Sequence, residues 1–131
     1  MDRIDIHIEV PAVPFEELSS SSRAGTNSEQ MRCDVERARR VQAERFGDCR
    51  SGVRYNAQMT SRQVREHCRL DATCQRMLRH SVEEMGLSAR AHDKILRVTR
   101  TIADVAGDDE IDEHHLAEAI NYRNLDRELW V

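Results

Sequence analysis

The chain has 131 residues, of which 39% are apolar, 34% charged and 4% aromatic. That length suits one compact domain with a tail, and an apolar set dominated by Leu, Ile, Val, Ala and Met favours helices over a β-sandwich. The formal net charge of −4 argues against a nucleic-acid domain working by bulk positive charge. No apolar run approaches the ~20 residues needed to span a bilayer, and no signal peptide opens the chain, so a cytoplasmic protein without membrane contact is expected.

Residues 4–10, Ile-Asp-Ile-His-Ile-Glu-Val, alternate between apolar and polar. The pattern predicts a strand with Ile4, Ile6, Ile8 and Val10 on one face, ended by Pro11 and Pro14. No second strand exists to pair with it, so it is expected to be frayed or weakly docked. Residues 19–27 are Ser-rich, with Gly25 and Asn27, and read as a linker. A first helix is expected to start after Ser28 and to run to about Phe46. Asp34–Arg37, Glu36–Arg39 and Glu36–Arg40 sit at helical pairing distance, and Met31, Val35, Ala38 and Val41 form a thin apolar face. A loop follows over 47–59.

Thr60 and Gln63 make a capping box for a short helix ending near Cys68. Asp71 caps the next, whose stripe is Cys74, Met77, Leu78, Ser81, Val82 and Met85, and Gly86 ends it. Ser88 caps a fourth helix. Ala91, Ile95, Val98, Ile102 and Val105 share one of its faces, with Leu96 and Ala103 beside them, and Arg90, Lys94, Arg97 and Thr101 lie opposite. An apolar arc of about half its circumference makes it the expected central helix; Gly107 stops it. Asp112 caps a fifth helix burying Leu116, Ala119 and Ile120. In the tail, 124–131, Leu125, Leu129 and Trp130 are candidate anchors for one further turn. The fold class is therefore all-α, a bundle of four to five helices spanning 28–123.

His67, Cys68, Cys74 and His80 raise zinc as an idea, but the cysteines lack CxxC spacing and Cys74 shares the apolar stripe, so no metal site is expected. The more informative cation is Arg90. A positive charge in the first turn of a helix is locally unfavourable, and the same end of a helix suits phosphate. Arg90 therefore reads either as a site for an anion or as an exposed arginine without a role. Of the 20 basic residues only Lys94 is a lysine; arginine suits forked phosphate contacts, but genomic base composition explains such a bias equally well.

Several words of the sequence together resemble the C-terminal part of the magnesium-chelatase-like AAA+ ATPases of the ComM/YifB type. They are Asp-Arg-Ile-Asp-Ile-His-Ile-Glu-Val-Pro (2–11), Tyr-Asn-Ala-Gln-Met (55–59), Cys-Arg-Leu-Asp (68–71), Gly-Leu-Ser-Ala-Arg-Ala (86–91), Ile-Leu-Arg-Val-Thr-Arg-Thr-Ile-Ala-Asp (95–104) and His-Leu-Ala-Glu-Ala-Ile-Asn-Tyr-Arg (115–123). The resemblance covers nearly the whole chain. It implies a helical lid following the last strand of an α/β nucleotide-binding core, of which residues 1–18 would be the remnant.

It also implies two site residues. Arg3, in the Asp-Arg-Ile-Asp segment, would be an arginine finger reaching a neighbour's ATP, and Arg90 would be sensor 2 at the γ-phosphate. The implied cofactor is ATP with Mg²⁺, bound by a longer parent. The implied partners are the missing core, further copies in a homo-oligomeric ring, and DNA, remodelled by branch migration.

The sequence has no Gly-x-x-x-x-Gly-Lys-Ser/Thr loop, so it reads as a piece of a longer ATPase that does not hydrolyse ATP alone. Alternatives are a metal-insertion chelatase motor, a stand-alone DNA-binding module using Arg90, Lys94, Arg97 and Arg100, and a structural adaptor. Where Arg90 is sensor 2, Arg97 and Arg100 instead form a solvated face or salt bridges.

Overall fold

In the computed structural model, residues 5–12, 14–16, 27–47 and 52–123 are described. They contain helices α1 (Ser28–Phe46), α2 (Ser61–His67), α3 (Ala72–Met85), α4 (Ala89–Ala106) and α5 (Glu113–Asn121), with a 3₁₀ turn at Asn56–Gln58, and no strand.

Each helix begins where a polar side chain takes up a first-turn N–H. Asn27 Oδ1 accepts from Gln30 N at 2.8 Å, so α1 starts at Ser28 rather than after it. Thr60 and Gln63 close the expected box on α2. Asp71 accepts from Cys74 N at 2.7 Å, Ser88 from Ala91 N at 3.2 Å and Asp112 from His115 N at 3.1 Å. A cap of this kind stabilises a helix by about 1 kcal/mol. α3 and α4 end on Gly86 and Gly107, at φ +63 and +81, a left-handed conformation that costs other residues roughly 1–2 kcal/mol.

α4 is central. It packs against α1, α2, α5 and the 3₁₀ turn, and α3 packs on α5. The core gathers Phe46, Met59, Val64, Cys74, Leu78, Ile95, Ala103, Leu116 and Ala119. Burying each large apolar side chain contributes about 1.5–3 kcal/mol.

Three sequence expectations are corrected. The buried side of α1 is Ala38, Gln42 and Phe46, in its C-terminal half, whereas Met31 and Val35 are exposed, because only that half lies against α4. On α4 the buried positions are Ala91, Ile95, Leu96, Thr99, Arg100, Ala103 and Asp104. Val105, assigned to the apolar face, is exposed, and Val98 and Ile102 are half-buried. The arc is displaced because polar partners from α1 and the 3₁₀ turn claim one side of the helix. Ile120 on α5 is likewise only half-buried.

The alternating N-terminal segment forms no ladder over residues 5–10, as expected of a strand without a partner. Ile6, Ile8 and Val10 face outward, and His7, on the polar face, is buried, its N–H bonded to Tyr122 O at 2.7 Å. Arg3, Ile4, Gly25 and the tail 124–131 lie outside the described residues.

Candidate functional site

The outer face of α4 lines an open groove of about 1500 Å³, walled by Asp5 and Ile6 on one side and by Asp34 and Arg37 of α1 on another. Four cations line it, and three are committed. Lys94 reaches Asp5 Oδ1 at 3.2 Å with its own side chain only 11% exposed. Arg97 donates from Nε (3.1 Å) and Nη2 (2.8 Å) to Met59 O, fixing the end of the 3₁₀ turn. Arg37 donates to Val105 O at 2.6 Å, satisfying a carbonyl in the last turn of α4.

The fourth, Arg90, is exposed and makes no ion pair or hydrogen bond with the described residues. It stands in the first turn of α4, where the N–H groups of Ala89 and Arg90 have no intrahelical acceptor. This end of the groove therefore offers a fork of donors and oriented backbone N–H groups to an incoming anion.

A separate polar cluster is sealed inside. Asp104, 1% exposed, accepts from Arg45 Nη1 and Nη2, both at 2.8 Å, from Asn56 Nδ2 at 2.8 Å and from Arg100 Nε at 3.2 Å. Burial alone would raise the Asp104 carboxyl pKa. The hydrogen bonds from Arg45 and Asn56, with the charges of Arg45 and Arg100, outweigh it and hold the pKa below the ordinary value. Arg100 also donates to Asp109 O and Asp108 O at 2.9 and 2.8 Å, satisfying the turn after α4. Arg100, 4% exposed, is thus a buried structural group and not part of a solvated face. With Arg97 on a carbonyl, Lys94 on a carboxylate and Arg100 buried on Asp104, Arg90 is the one member of the set Arg90, Lys94, Arg97 and Arg100 left uncommitted among the described residues.

Sequence reasoning missed Arg45 and Asn56. The signal for Asn56 lay in the word Tyr-Asn-Ala-Gln-Met, whose polar residue meets the Asp that closes Ile-Leu-Arg-Val-Thr-Arg-Thr-Ile-Ala-Asp. Arg45 gave no signal, since an arginine near a helix end reads as solvated.

The zinc candidates do not converge: among the described residues only Asp108, Asp112 and His115 bring three possible ligand atoms together. There His115 Nδ1 accepts from Asp112 N at 3.0 Å, so Nε2 carries the proton and donates to Asp108 Oδ2 at 2.8 Å. Both ring nitrogens are committed to capping α5 and its preceding loop. Cys68 and Cys74 are buried thiols, each pushed up to about 11 chiefly by desolvation, and His67 stacks edge-on against Phe46 at 5.6 Å.

The family model described as "Magnesium chelatase, subunit ChlI C-terminal" matches residues 25–123. The chain is 38% identical over 127 residues to the competence protein ComM of Haemophilus influenzae. It is 35% identical to the YifB protein of Escherichia coli and 34% to that of Salmonella typhimurium, each over 127 residues. In all three cases the match covers 97% of this chain and 24% of the relative, so the chain spans about a quarter of their length. The chain belongs to the magnesium-chelatase C-terminal family, in its ComM/YifB-type branch. No helix among the described residues is long and apolar enough to cross a membrane.

Proposed function

From this family membership we propose that the chain is the helical lid of a magnesium-chelatase-like AAA+ ATPase, with Arg90 acting as sensor 2. The observation that carries the reading is the state of Arg90. Of the four cations in the groove it alone is uncommitted among the described residues, and it sits where a helix N-terminus reinforces anion binding.

ATP with Mg²⁺, held by the core, supplies the phosphoanhydride bond and a neutralising ion. The groove residues fit the phosphate end of that group. Its carboxylates are engaged, Asp5 with Lys94, Asp34 with Arg37, Asp93 with Ser61 and Glu118 with the Tyr122 hydroxyl, so the metal ligands are assigned to the core. Closing the lid carries the Arg90 guanidinium to the terminal phosphate, where its fork stabilises charge on the equatorial oxygens. Opening after hydrolysis withdraws it, a hinge motion driven by contacts that differ between the two states.

Arg3 is the proposed arginine finger in a homo-oligomeric ring of such subunits, a role worth ~10³–10⁵ in rate where it operates. The likeness to the ComM competence protein favours a cytoplasmic DNA-remodelling motor working by branch migration. The family description, magnesium chelatase, favours the second reading, a motor for metal insertion into a porphyrin. The test is ATP hydrolysis by the full-length enzyme carrying Arg90→Ala. Turnover is expected to collapse; unchanged turnover and unchanged nucleotide affinity would remove sensor 2 from the account.

A further inference from the structure

The two sides of α4 carry different surfaces. Lys94 faces the groove, whereas His92 and Leu96, about 160° away round the helix, line a second cleft of about 650 Å³ between α2 and α3. The cleft exists because α2 packs on α4 while α3 packs chiefly on α5, so the two helices diverge. Buried Val64, Leu78 and Leu96 give it an apolar floor, and Leu70 and Val82 are left half-buried beside them.

Its rim is cationic. Arg65, Arg69 and Arg79 are exposed and make no ion pair or hydrogen bond with the described residues. Glu83 is the one carboxylate that lines the cleft with them. The surface is therefore locally positive on a chain whose net charge is −4. An apolar floor between uncommitted guanidinium groups suits an apolar side chain flanked by carboxylates.

This chain carries such a segment. Residues 5–18 hold Asp5, Glu9, Glu16 and Glu17 and no lysine or arginine. Within it Phe15 is 80% exposed, and Val10, Glu9 and Glu16 are exposed as well. Pro11 and Pro14 fix φ on either side of Ala12, so less freedom is lost on docking. In its own copy the segment starts on the groove side of α4, with Asp5 on Lys94 at 3.2 Å and His7 N on Tyr122 O at 2.7 Å. Phe15 does not line the cleft of that copy.

We propose that the cleft between α2 and α3 receives the 9–16 segment of a second copy of this chain, with Phe15 on the apolar floor and its flanking carboxylates on the arginine rim. The occupant is favoured by matching charge and by an aromatic side chain that nothing covers within one copy. Two different surfaces meet in this contact, so it is head-to-tail, the kind that closes into a ring when the rotation between copies allows. It rests on the ring reading above and names the surface through which neighbours hold one another.

The test uses this chain and a fluorescein-labelled peptide of its residues 8–18, read by fluorescence anisotropy. Saturable binding is expected. Phe15→Ala in the peptide should weaken it about tenfold or more, and so should Arg69→Glu with Arg79→Glu in the chain, with helix content unchanged by circular dichroism. A peptide carrying Glu16→Arg and Glu17→Arg should recover affinity for that doubly substituted chain, which general loss of folding would not allow. No saturable binding overturns the proposal. So does equal binding of a peptide with the same residues in scrambled order, which would mark an unspecific acidic contact. Binding of a single-stranded oligonucleotide at the same arginines, with none of the peptide, overturns it too and assigns the cleft to nucleic acid. In the full-length enzyme, sedimentation should show assembly weakened by Phe15→Ala. Assembly equal to wild type in both the Phe15→Ala and the Arg69→Glu, Arg79→Glu enzymes overturns this contact and leaves the ring reading standing. A wild-type enzyme that stays monomeric with ATP overturns both.

Discussion

Replacing Asp104 by alanine should be among the most damaging single changes in this fold. Four hydrogen bonds converge on its carboxylate, two from Arg45 and one each from Asn56 and Arg100. Removing the acceptor leaves two guanidinium groups, 13% and 5% exposed, beside a void without a counter-charge. Breaking a buried pair by deleting one partner costs about 3–5 kcal/mol, against a total of roughly 5–15 kcal/mol for a domain. Urea unfolding followed by circular dichroism at pH 7 reads this directly: at a slope of about 1–3 kcal/mol/M, the midpoint should fall by roughly 2 M.

Asp104→Asn keeps an oxygen for Arg45 and should lose less than the alanine variant. The pH dependence has a definite sign. The folded-state pKa lies below the ordinary value, the bonds and charges of Arg45, Asn56 and Arg100 having overcome the opposing effect of burial. The contribution is therefore complete above the unfolded aspartate value of about 3.9 and disappears as the pH falls through the lower folded value. The gap between wild type and Asp104→Ala should stay constant from pH 7 down to about 5 and narrow only in stronger acid. A loss under about 1 kcal/mol at pH 7, the scale of an exposed pair, would refute the claim that this cluster is sealed and mutually satisfied.

Gly86→Val should destabilise by at least 1–2 kcal/mol, roughly the cost of a left-handed backbone, and Gly86→Asn by less. A Cβ there meets nothing within 4 Å, so conformation alone sets the loss; equal denaturation midpoints for glycine and valine would contradict this. Ser88→Ala removes the cap on α4 and should cost about 1 kcal/mol in thermal unfolding, with Ser88→Asp restoring it. Iodoacetamide at pH 8, followed by mass spectrometry, should label exposed Cys33 well before buried Cys68 and Cys74, whose thiols are pushed up to about 11; labelling of all three at one rate would count against the packing of the core.

The helix frame was legible because its signals are local. Thr60, Asp71, Ser88 and Asp112 announce helix starts within three residues of the N–H groups they bind, and Gly86 and Gly107 announce the ends. Arg90 was legible as a candidate for the same reason: an arginine in a first turn conflicts with the helix dipole, and the conflict shows in sequence.

The Asp104 cluster was not legible. Arg45 and Asp104 are 59 positions apart, and Asn56 and Asp104 are 48 apart. At helical spacing, a charge bound for a buried partner looks the same as one bound for water. Thus the spacing leaves Arg100 open between a solvated face and a salt bridge, of which the structure has the second, with Asp104, and it draws Val98 and Val105 into an apolar face whose true centre includes Thr99 and Asp104. Nor could His7 be read as buried. Alternation assigns it to the wet side, and the carbonyl that holds its N–H, Tyr122 O, lies 115 positions further along the chain.

The distance along the chain between Arg45 and Asp104 also sets an order of events during synthesis. α1 buries only Ala38, Gln42 and Phe46, and its anchoring guanidinium has no carboxylate to meet until residue 104 has been made. As the chain leaves the ribosome, more than fifty residues must emerge before α1 can settle. A codon-paced pause ahead of residue 104 would leave this helix waiting, open to solvent and to proteases, and one placed after it would not.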